Sequence, residues 1–417
     1  MKVPCNRIVI TTGIFLLMTL QIPSAIPESE TRITLESAVE TALRENPMLD
    51  TIRKKIEVAR VRLDGIALLG NPELETEFVG GTHSEQVFEL SKSFQLGGQR
   101  GHRKRIAAIK LEMASVEFDE SSRMLTEAVK LSFYDLVHVQ EKLELAKEII
   151  RHNQQMSNIA QARFEAGDIS MTHVNLANVQ LQAAMREASS LESTLQLTQL
   201  EINNLMGAAL EAKPIAVYRA SESTSLNHRL QITLGELTTH ALAHRSDLKS
   251  LRLNARLIGG ELRLAKAANI PDLSIGGMVE RNPHEKAFGM KFSVPLPGFD
   301  RNRVAIDGAR AEQQVNAVEI RNKERQIVRE VMAALLSLTA AQKNLEFYET
   351  DLLKLLNENL TLMRTAYELG EAKLLEVVIM QNEYIKARFA YLDALTASRK
   401  AFANLDAAVG KSSGLLQ

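Results

Sequence analysis

Apolar positions along this chain recur with two different periods, and the switch between them lays out the molecule. Over long stretches the period is 3.5 residues. Leu125, Val129, Ser132, Leu136, Val139, Leu143, Ala146, Ile150, Asn153, Ser157, Ala160 and Phe164 follow spacings of four and three without a slip, which keeps one seam of a helix facing a partner. A return seam runs from Val174 to Leu205. A second pair runs from Val328 through Leu345, Glu349 and Leu356, and back from Val377 to Leu405. Four coiled-coil helices are predicted. The one from about Arg100 to Phe164 would be roughly 100 Å long at 1.5 Å per residue. Several seam positions are small or polar, so further faces must pack elsewhere or line water.

Between the helices the period is two. Leu74, Thr76 and Phe78 point one way while Glu73, Glu75 and Glu77 point the other. Phe88, Leu90, Phe94 and Leu96 alternate with Glu89, Ser91, Ser93 and Gln95, with Lys92 on the apolar side, where it must snorkel to an interface. Leu273, Ile275 and Val279 likewise oppose Asp272, Ser274 and Glu280, and Phe288, Met290, Phe292, Val294 and Leu296 oppose Lys291 and Ser293. Each pair reads as a hairpin, with tips at Gly80–His83 and Arg281–His284. One apolar and one polar face is the pattern of an outer-membrane barrel strand. Four strands cannot enclose a lumen, because the smallest such barrels need about eight and lipid tolerates no open edge. Three copies would supply twelve. The other reading of the same periodicity is a soluble pair of hairpins capping a helical bundle.

The chain also repeats itself. Ile33-Thr34-Leu35 returns as Ile232-Thr233-Leu234, and Pro72-Glu73-Leu74 as Pro271-Asp272-Leu273. Gly167 and Gly207 return as Gly370 and Gly410. The expected organisation is an export signal over 1–25 and a first repeat over 26–210 (helix, β-hairpin about 72–96, long helical hairpin with its tip near 167). A connector follows over 211–231. The second repeat covers 232–410 (helix, β-hairpin about 271–296, long helical hairpin with its tip near 370), ending in a tail over 411–417. The signal reading rests on Lys2 and Arg7 before the apolar run Ile8–Leu20, closing near Ser24 and Ala25. That run is shorter than the roughly 20 residues a membrane helix needs.

Composition narrows the function. With 50 Lys and Arg against 51 Asp and Glu, the chain lacks the basic excess that grips nucleic acid. The single cysteine, Cys5, lies within the expected signal and excludes a disulfide framework or thiolate metal cluster. No nucleophile elbow or dinucleotide fingerprint occurs. Gly410-Lys411-Ser412 lacks the glycine and strand a phosphate loop requires. His240 and His244 stand four apart on a helix without the glutamate of a His-Glu-x-x-His motif, and read as exposed helix residues. No enzyme activity, no cofactor and no metal site are expected. The polar strand faces carry Glu73, Glu75, Glu77, Glu89, Asp272 and Glu280 against Lys291, a lumen whose acids either raise the local cation concentration or merely keep it wet.

The motifs Asn71-Pro72-Glu73-Leu74, Phe94-Gln95-Leu96-Gly97-Gly98-Gln99-Arg100 and Val294-Pro295-Leu296-Pro297-Gly298-Phe299-Asp300-Arg301-Asn302 resemble the TolC family over nearly the whole mature chain. They are most similar to the outer-membrane subunits of cobalt-zinc-cadmium-type (heavy-metal RND) tripartite exporters. The resemblance implies a mainly α fold of long antiparallel coiled-coil helices in two repeats, with four strands forming one third of a trimeric twelve-stranded barrel. It implies a homotrimer in the Gram-negative outer membrane, its helices in the periplasm, meeting an adaptor protein and an inner-membrane RND pump. The function implied is a passive duct for substrate, divalent heavy-metal cations first. A duct for drugs or secreted proteins is the alternative, and a structural coiled-coil envelope protein a further one.

The same resemblance makes Gly167 and Gly370 the hairpin tips that meet the adaptor, and carries a periplasmic gate onto Glu376, His173 and Tyr367. The family's second gate acid falls on Ile379, the acid linked to the tyrosine on His173, and its arginine after the second tip glycine on Ala372. The same three residues can equally be read as solvated tip positions.

Overall fold

The computed structural model of the chain describes residues 31–66, 70–79, 85–208, 215–217, 233–281, 285–296 and 301–410. The expected signal, the hairpin tips at 80–83 and 282–284, most of the 211–231 connector, Pro297 to Asp300 and the tail over 411–417 lie outside the described residues.

Each half opens with two helices where one was expected. In the first half α1 (Leu35–Glu45) gives way to α2 (Pro47–Gly65), and in the second α5 (Leu234–His244) gives way to α6 (Ser246–Ala267). Asn46 causes the first break: its backbone is extended and its side chain accepts from the Met48 amide at 2.9 Å. Pro47 then starts the next helix, where its missing N–H leaves nothing unpaired. Arg245 takes the same conformation (φ −67°, ψ 126°) without a proline. A short parallel pair, β1 (Thr31–Ile33) with β4 (Ile215–Val217), ties the connector to the start of the first half. Strands of three residues are too short to show a period, so no pattern predicted them.

The main sheet has four antiparallel strands: β2 (Glu73–Val79), β3 (Glu85–Phe94), β5 (Leu273–Arg281) and β6 (Lys286–Ser293), in the order β2-β3-β5-β6. The register aligns the alternation across all four. Leu90 stands opposite Leu74 and Gly277, Phe88 opposite Thr76 and Val279, and Val279 opposite Phe288. Phe78 and Phe88 meet edge to face at 5.8 Å. Among the described residues no helix covers this face: Leu74 is 68% exposed, Phe288 80% and Met290 72%. Lys92 falls on it, opposite Ile275, as the alternation required.

Below the sheet the long helices run as two antiparallel hairpins. α3 (Gln99–Glu165) is a single helix of 67 residues returned by α4 (Met171–Leu205). α7 (Arg303–Phe347), a π turn at Tyr348–Leu352 and α8 (Leu353–Glu368) are returned by α9 (Leu374–Val409). The α3 seam is buried at Leu125, Val129, Leu136, Leu143 and Ala160, with Ser132, Asn153 and Ser157 among them, while Ile150 is half-buried and Phe164 exposed. A second α3 face buries Leu145 and Ile149 with Ala184 of α4 and Leu392 of α9, which is where the small seam positions direct packing.

The second seam does slip, contrary to the unbroken repeat expected. Val331, Leu338 and Leu345 are buried at intervals of seven, but the next buried positions are Leu360 and Tyr367, and Glu349 is exposed. The extra residue is the π turn, which widens one helical turn to i→i+5. The two repeats agree on this. Leu143 and Leu345 are 202 residues apart, whereas Ser157 and Leu360 are 203 apart. Between these levels the second repeat carries one inserted residue, and the π turn absorbs it so that Tyr367 reaches the seam.

The far ends of α4 and α9 are closed by related contacts. Asn46 Nδ2 donates to the Leu205 carbonyl at 2.8 Å. Arg123 and Arg245 donate to the carbonyls of Ala407 and Ala408 at 2.9 and 3.3 Å. The Arg245 side chain is buried and also pairs with Asp247 and Glu330. Burial pushes the Asp247 carboxyl up, but the Arg245 hydrogen bond and charge, the Leu248 amide and Lys323 outweigh it and hold the group below its ordinary value.

Two outcomes are expected. Deleting Glu349 closes the π turn and keeps the tip in register. Deleting Lys147 at the matching level of α3 rotates everything beyond it by about 100°, so hydrogen exchange at the tip should accelerate only in the second variant. Arg245→Met should cost about 3 kcal/mol at neutral pH by removing the buried guanidinium from the partly buried carboxylates of Asp247 and Glu330. Because the Asp247 pKa is lowered on folding, wild type loses this stabilisation as pH falls below about 4. Melting curves of the two proteins should therefore converge with acid.

Candidate functional site

Two regions carry the candidate residues, and they lie at opposite ends of the long helices. On the sheet, the register places Glu73, Glu75, Glu77, Glu89 and Glu280 on one face, opposite to the apolar one. Glu75 stands directly across from Glu89. Asp272 sits one residue before β5 and accepts from Gln99 Nε2 at 3.2 Å, so it belongs to the junction between sheet and helices. Glu85 joins the polar face, although the pattern began its strand at Phe88. The alternation Glu85, Val87, Glu89 was the signal available.

Lys291 is not a diffuse counter-charge. Its Nζ lies 2.8 Å from Glu89 Oε2 although β5 separates their strands. Gly276 stands between them, flanked in register by Ser91 and Lys291. A Cβ there would come within 2.9 Å of Ser91 Cβ and 3.3 Å of Glu89 Oε1. The missing side chain is the gap through which Lys291 crosses.

At the other end the two hairpin tips are near copies. Gly167 and Gly370 both hold φ +83°, the left-handed region a side chain disfavours. Each amide donates to the carbonyl three residues earlier, Phe164 at 2.9 Å and Tyr367 at 3.0 Å. The next amide, of Asp168 or Glu371, donates to the carbonyl five residues earlier, closing a Schellman cap. The following helices begin at Met171 and Leu374, which makes His173 and Glu376 equivalent, each the third residue of its helix. Each bonds back to the helix start. His173 Nδ1 lies 3.0 Å from Ser170 Oγ, and Glu376 Oε2 accepts from the Lys373 amide at 3.1 Å. Glu376 and Ile379 are both exposed.

Tyr367 is placed differently. It is 2% exposed, packed among Ala160, Val174, Ala177, Leu374 and Val377 where the two hairpins meet. Its hydroxyl is enclosed and finds no partner among the described residues. The structure does not join it to His173, whose ring bonds Ser170. Its neighbour is Arg163 of α3, with the guanidinium 5.1 Å from the ring centroid and Nη1 donating to the Tyr367 carbonyl at 3.1 Å. Arg163 is the tip residue that sequence reasoning missed. A cation in the last turn of α3 signals charge at a helix end, but not which helix it crosses to. Deeper, Asn153 bonds both Gln381 and the Gln180 carbonyl, and Ser157 bonds Asn178, a buried polar layer binding α3, α4 and α9. Among the described residues no group of three or more His, Cys, Asp or Glu side chains is placed to hold a metal ion, and no helix is long and apolar enough to cross a membrane.

A family model described as outer membrane efflux protein matches residues 82–208 and 237–411. The chain belongs to the outer membrane efflux protein family. The TolC-family resemblance carried by the motifs therefore stands, and with it the mainly helical fold built on a four-stranded antiparallel sheet. This efflux protein is 23% identical over 399 residues to the cobalt-zinc-cadmium resistance protein CzcC of Cupriavidus metallidurans, covering 94% of each chain. It is 24% identical over 295 residues to the pyoverdine export outer membrane protein OpmQ of Pseudomonas putida, covering 66% of this chain and 57% of that one. Its fold matches a crystal structure of CusC with a TM-score of 0.77 at 16% identity, over 91% and 93% of the two chains. Family members are outer-membrane channels, not enzymes.

The enclosed Tyr367 hydroxyl yields a test within one chain. Tyr367→Phe should leave tip stability within about 0.5 kcal/mol of wild type, since no bond is lost, whereas Tyr367→Ala should cost about 3–5 kcal/mol through the cavity. Denaturation followed by tip hydrogen exchange checks both.

Proposed function

We propose that three copies of this chain close a twelve-stranded barrel in the outer membrane of a Gram-negative cell, continued into the periplasm by their helices as a passive efflux duct. The observation that carries this reading is a sheet with an uncovered apolar face and two unpaired edges, β2 and β6. Water does not favour that face, and hydrocarbon does not tolerate those edges. β2 runs away from the helices and β6 runs back, so β6 of one copy meets β2 of the next antiparallel and the meander continues. The helices offer matching edges. Val58 and Val61 of α2 and Val304, Val315 and Val318 of α7 are exposed, and lie on the outermost helices of the order α2-α3-α6-α7. The reading takes residues 1–25 as the export signal and 26–210 and 232–410 as the two repeats that share the wall.

In this duct Glu73, Glu75, Glu77, Glu89 and Glu280 face the lumen, with Asp272 at its base, and favour cations. Gly167 and Gly370 mark the surface offered to a periplasmic adaptor, through which an inner-membrane RND pump supplies the energy. His173, Glu376 and Tyr367 set the aperture at the tips: His173 and Glu376 as rings of polar groups, Tyr367 from beneath as the packing that holds the two hairpins together. Divalent heavy-metal cations are the proposed cargo, supported by the full-length similarity to CzcC and by the lumen sign. Similarity to OpmQ supports a second reading, in which the duct passes a larger organic cargo and the acids only keep it wet.

Purified trimers in planar bilayers should conduct with a reversal potential favouring potassium over chloride. Glu376→Ala should raise conductance and weaken that preference. Equal permeability to both ions, unchanged by the substitution, would remove the lumen and gate assignments. Metal sensitivity of a deletion strain, relieved by wild type, tests the cargo.

A further inference from the structure

Within one chain the two repeats meet along a seam between α3 and α6, and that seam is built around a missing side chain. Ile106 of α3 is buried, with its Cγ1 only 3.1 Å from where a Cβ on Gly260 of α6 would stand. One turn along, Lys110 of α3 and Glu261 of α6 line the same groove. The internal repeat carries these four positions onto the outermost helices. α3 and α7 correspond at 202 residues, because Ala107, Leu125, Val129 and Leu136 are buried where Ala309, Ile327, Val331 and Leu338 are. α2 and α6 correspond at 199, because Asn46 and Arg245 make the same helix break and Leu49 and Leu248 are both fully buried. Ile106 therefore answers to Gly308 and Lys110 to Glu312, while Gly260 answers to Val61 and Glu261 to Arg62. Every role is exchanged. The knob has become a hole, the hole a knob, and both charges have changed sign. Within its own chain a Cβ on Gly308 would meet nothing within 4 Å, and Val61 is 64% exposed. Arg62 and Glu312 are exposed too, and among the described residues neither has an ionic partner.

We propose that Val61 and Arg62 of α2 dock on Gly308 and Glu312 of α7 in the next copy, and that the exchange of roles lets copies join in one order only, second repeat to first. The inference rests on the duct reading, in which repeats alternate around a ring and α7–α2 between copies is the counterpart of α3–α6 within one. In the correct join Val61 fills the space over Gly308, as Ile106 fills that over Gly260, and Arg62 meets Glu312. The wrong joins fail on both counts. First repeat to first repeat would set Ile106 against Val61 and Lys110 against Arg62, two knobs and two cations. Second to second would set Gly308 against Gly260 and Glu312 against Glu261, a void and two acids. Strand edges supply no such choice, since backbone hydrogen bonds form between any two antiparallel neighbours. The other α3–α6 contact, the Glu112–Arg256 ion pair, answers to Gln314 beside Glu57 and leaves the choice to these four residues.

The test is the oligomeric state of the full chain in a non-ionic detergent, read by size exclusion with light scattering over a dilution series. Wild type should be a trimer. Gly308→Ile should weaken assembly roughly a hundredfold, because the new side chain meets Val61 at every seam between copies, and adding Val61→Gly should restore it. Arg62→Glu and Glu312→Arg should each weaken assembly about tenfold and recover together. Gly308 faces open space in its own chain and nearly any other residue is a better helix former, so the Gly308→Ile protomer should keep wild-type helicity and protease resistance. Carrying all four changes makes the outer seam a copy of the inner one, and that variant should also form species larger than a trimer. Wild-type assembly by Gly308→Ile, or no recovery in either double variant, overturns the docking and leaves a trimeric duct in place. Trimers alone from the fourfold variant overturn the ordering role. A wild type that stays monomeric at every concentration overturns the duct reading together with this one.

Discussion

Every strand edge in a sheet carries N–H and C=O groups that must find partners, and in hydrocarbon only another strand can supply them. In the proposed barrel that requirement acts on a sheet of four strands whose one face is lined by Leu74, Phe88, Phe288, Met290 and Phe292, and whose other is lined by glutamates. Buried in its own protomer, such a sheet would have to bring six carboxylates or a row of aromatics against helices. It does neither. The remaining features of the chain make sense as consequences: strands that reverse direction at each step, helices with apolar positions on both outer flanks, and a polar face where acids are thinned by a single lysine reaching across Gly276.

The long helices solve a different problem, that of holding two hairpins in register over many turns with little hydrophobic area per layer. Small and polar seam residues let three helices approach closely, and the Asn153–Gln381 bond with the Gln180 carbonyl keeps buried polar groups satisfied there. The π turn at Tyr348–Leu352 sits just above that layer. One added residue would have turned Ala366 toward the seam in place of Tyr367, and the widened turn restores the tyrosine to the junction that Arg163 covers. The two repeats share a plan while their equivalent tip residues differ: Phe164 is exposed, and Tyr367 is buried in the space between the hairpins.

Much of this was legible in the chain itself, because the dominant forces have periods. Alternation placed Glu73, Glu75, Glu77 and Glu89 on one face, and the 3.5-residue seam placed α3 from Leu125 to its tip. What escaped depended on contacts rather than periods. Asn46-Pro47 is a local break signal that the periodicity passed over, whereas Arg245 makes the same break beside a buried charge cluster that no local pattern reveals. Asp272 kept the right alternation yet belongs to the junction, since Gln99 draws it out of the strand. The π turn left its trace only as a change of one in the distance between repeats. The link expected between His173 and Tyr367 rested on likeness to other chains, and in this one the histidine ring bonds the Ser170 hydroxyl at the start of its own helix while the tyrosine lies under Arg163.

The most direct measurement is disulfide trapping between neighbouring copies. Cysteines introduced in pairs along the outer edges of β2 and β6, for instance at Thr76 and Met290 and stepped by two residues in either direction, should yield covalent dimers and then trimers in one register only, with larger species absent. A chain that forms only intramolecular bonds or none at every register, or a ladder extending without limit, would contradict closure by three.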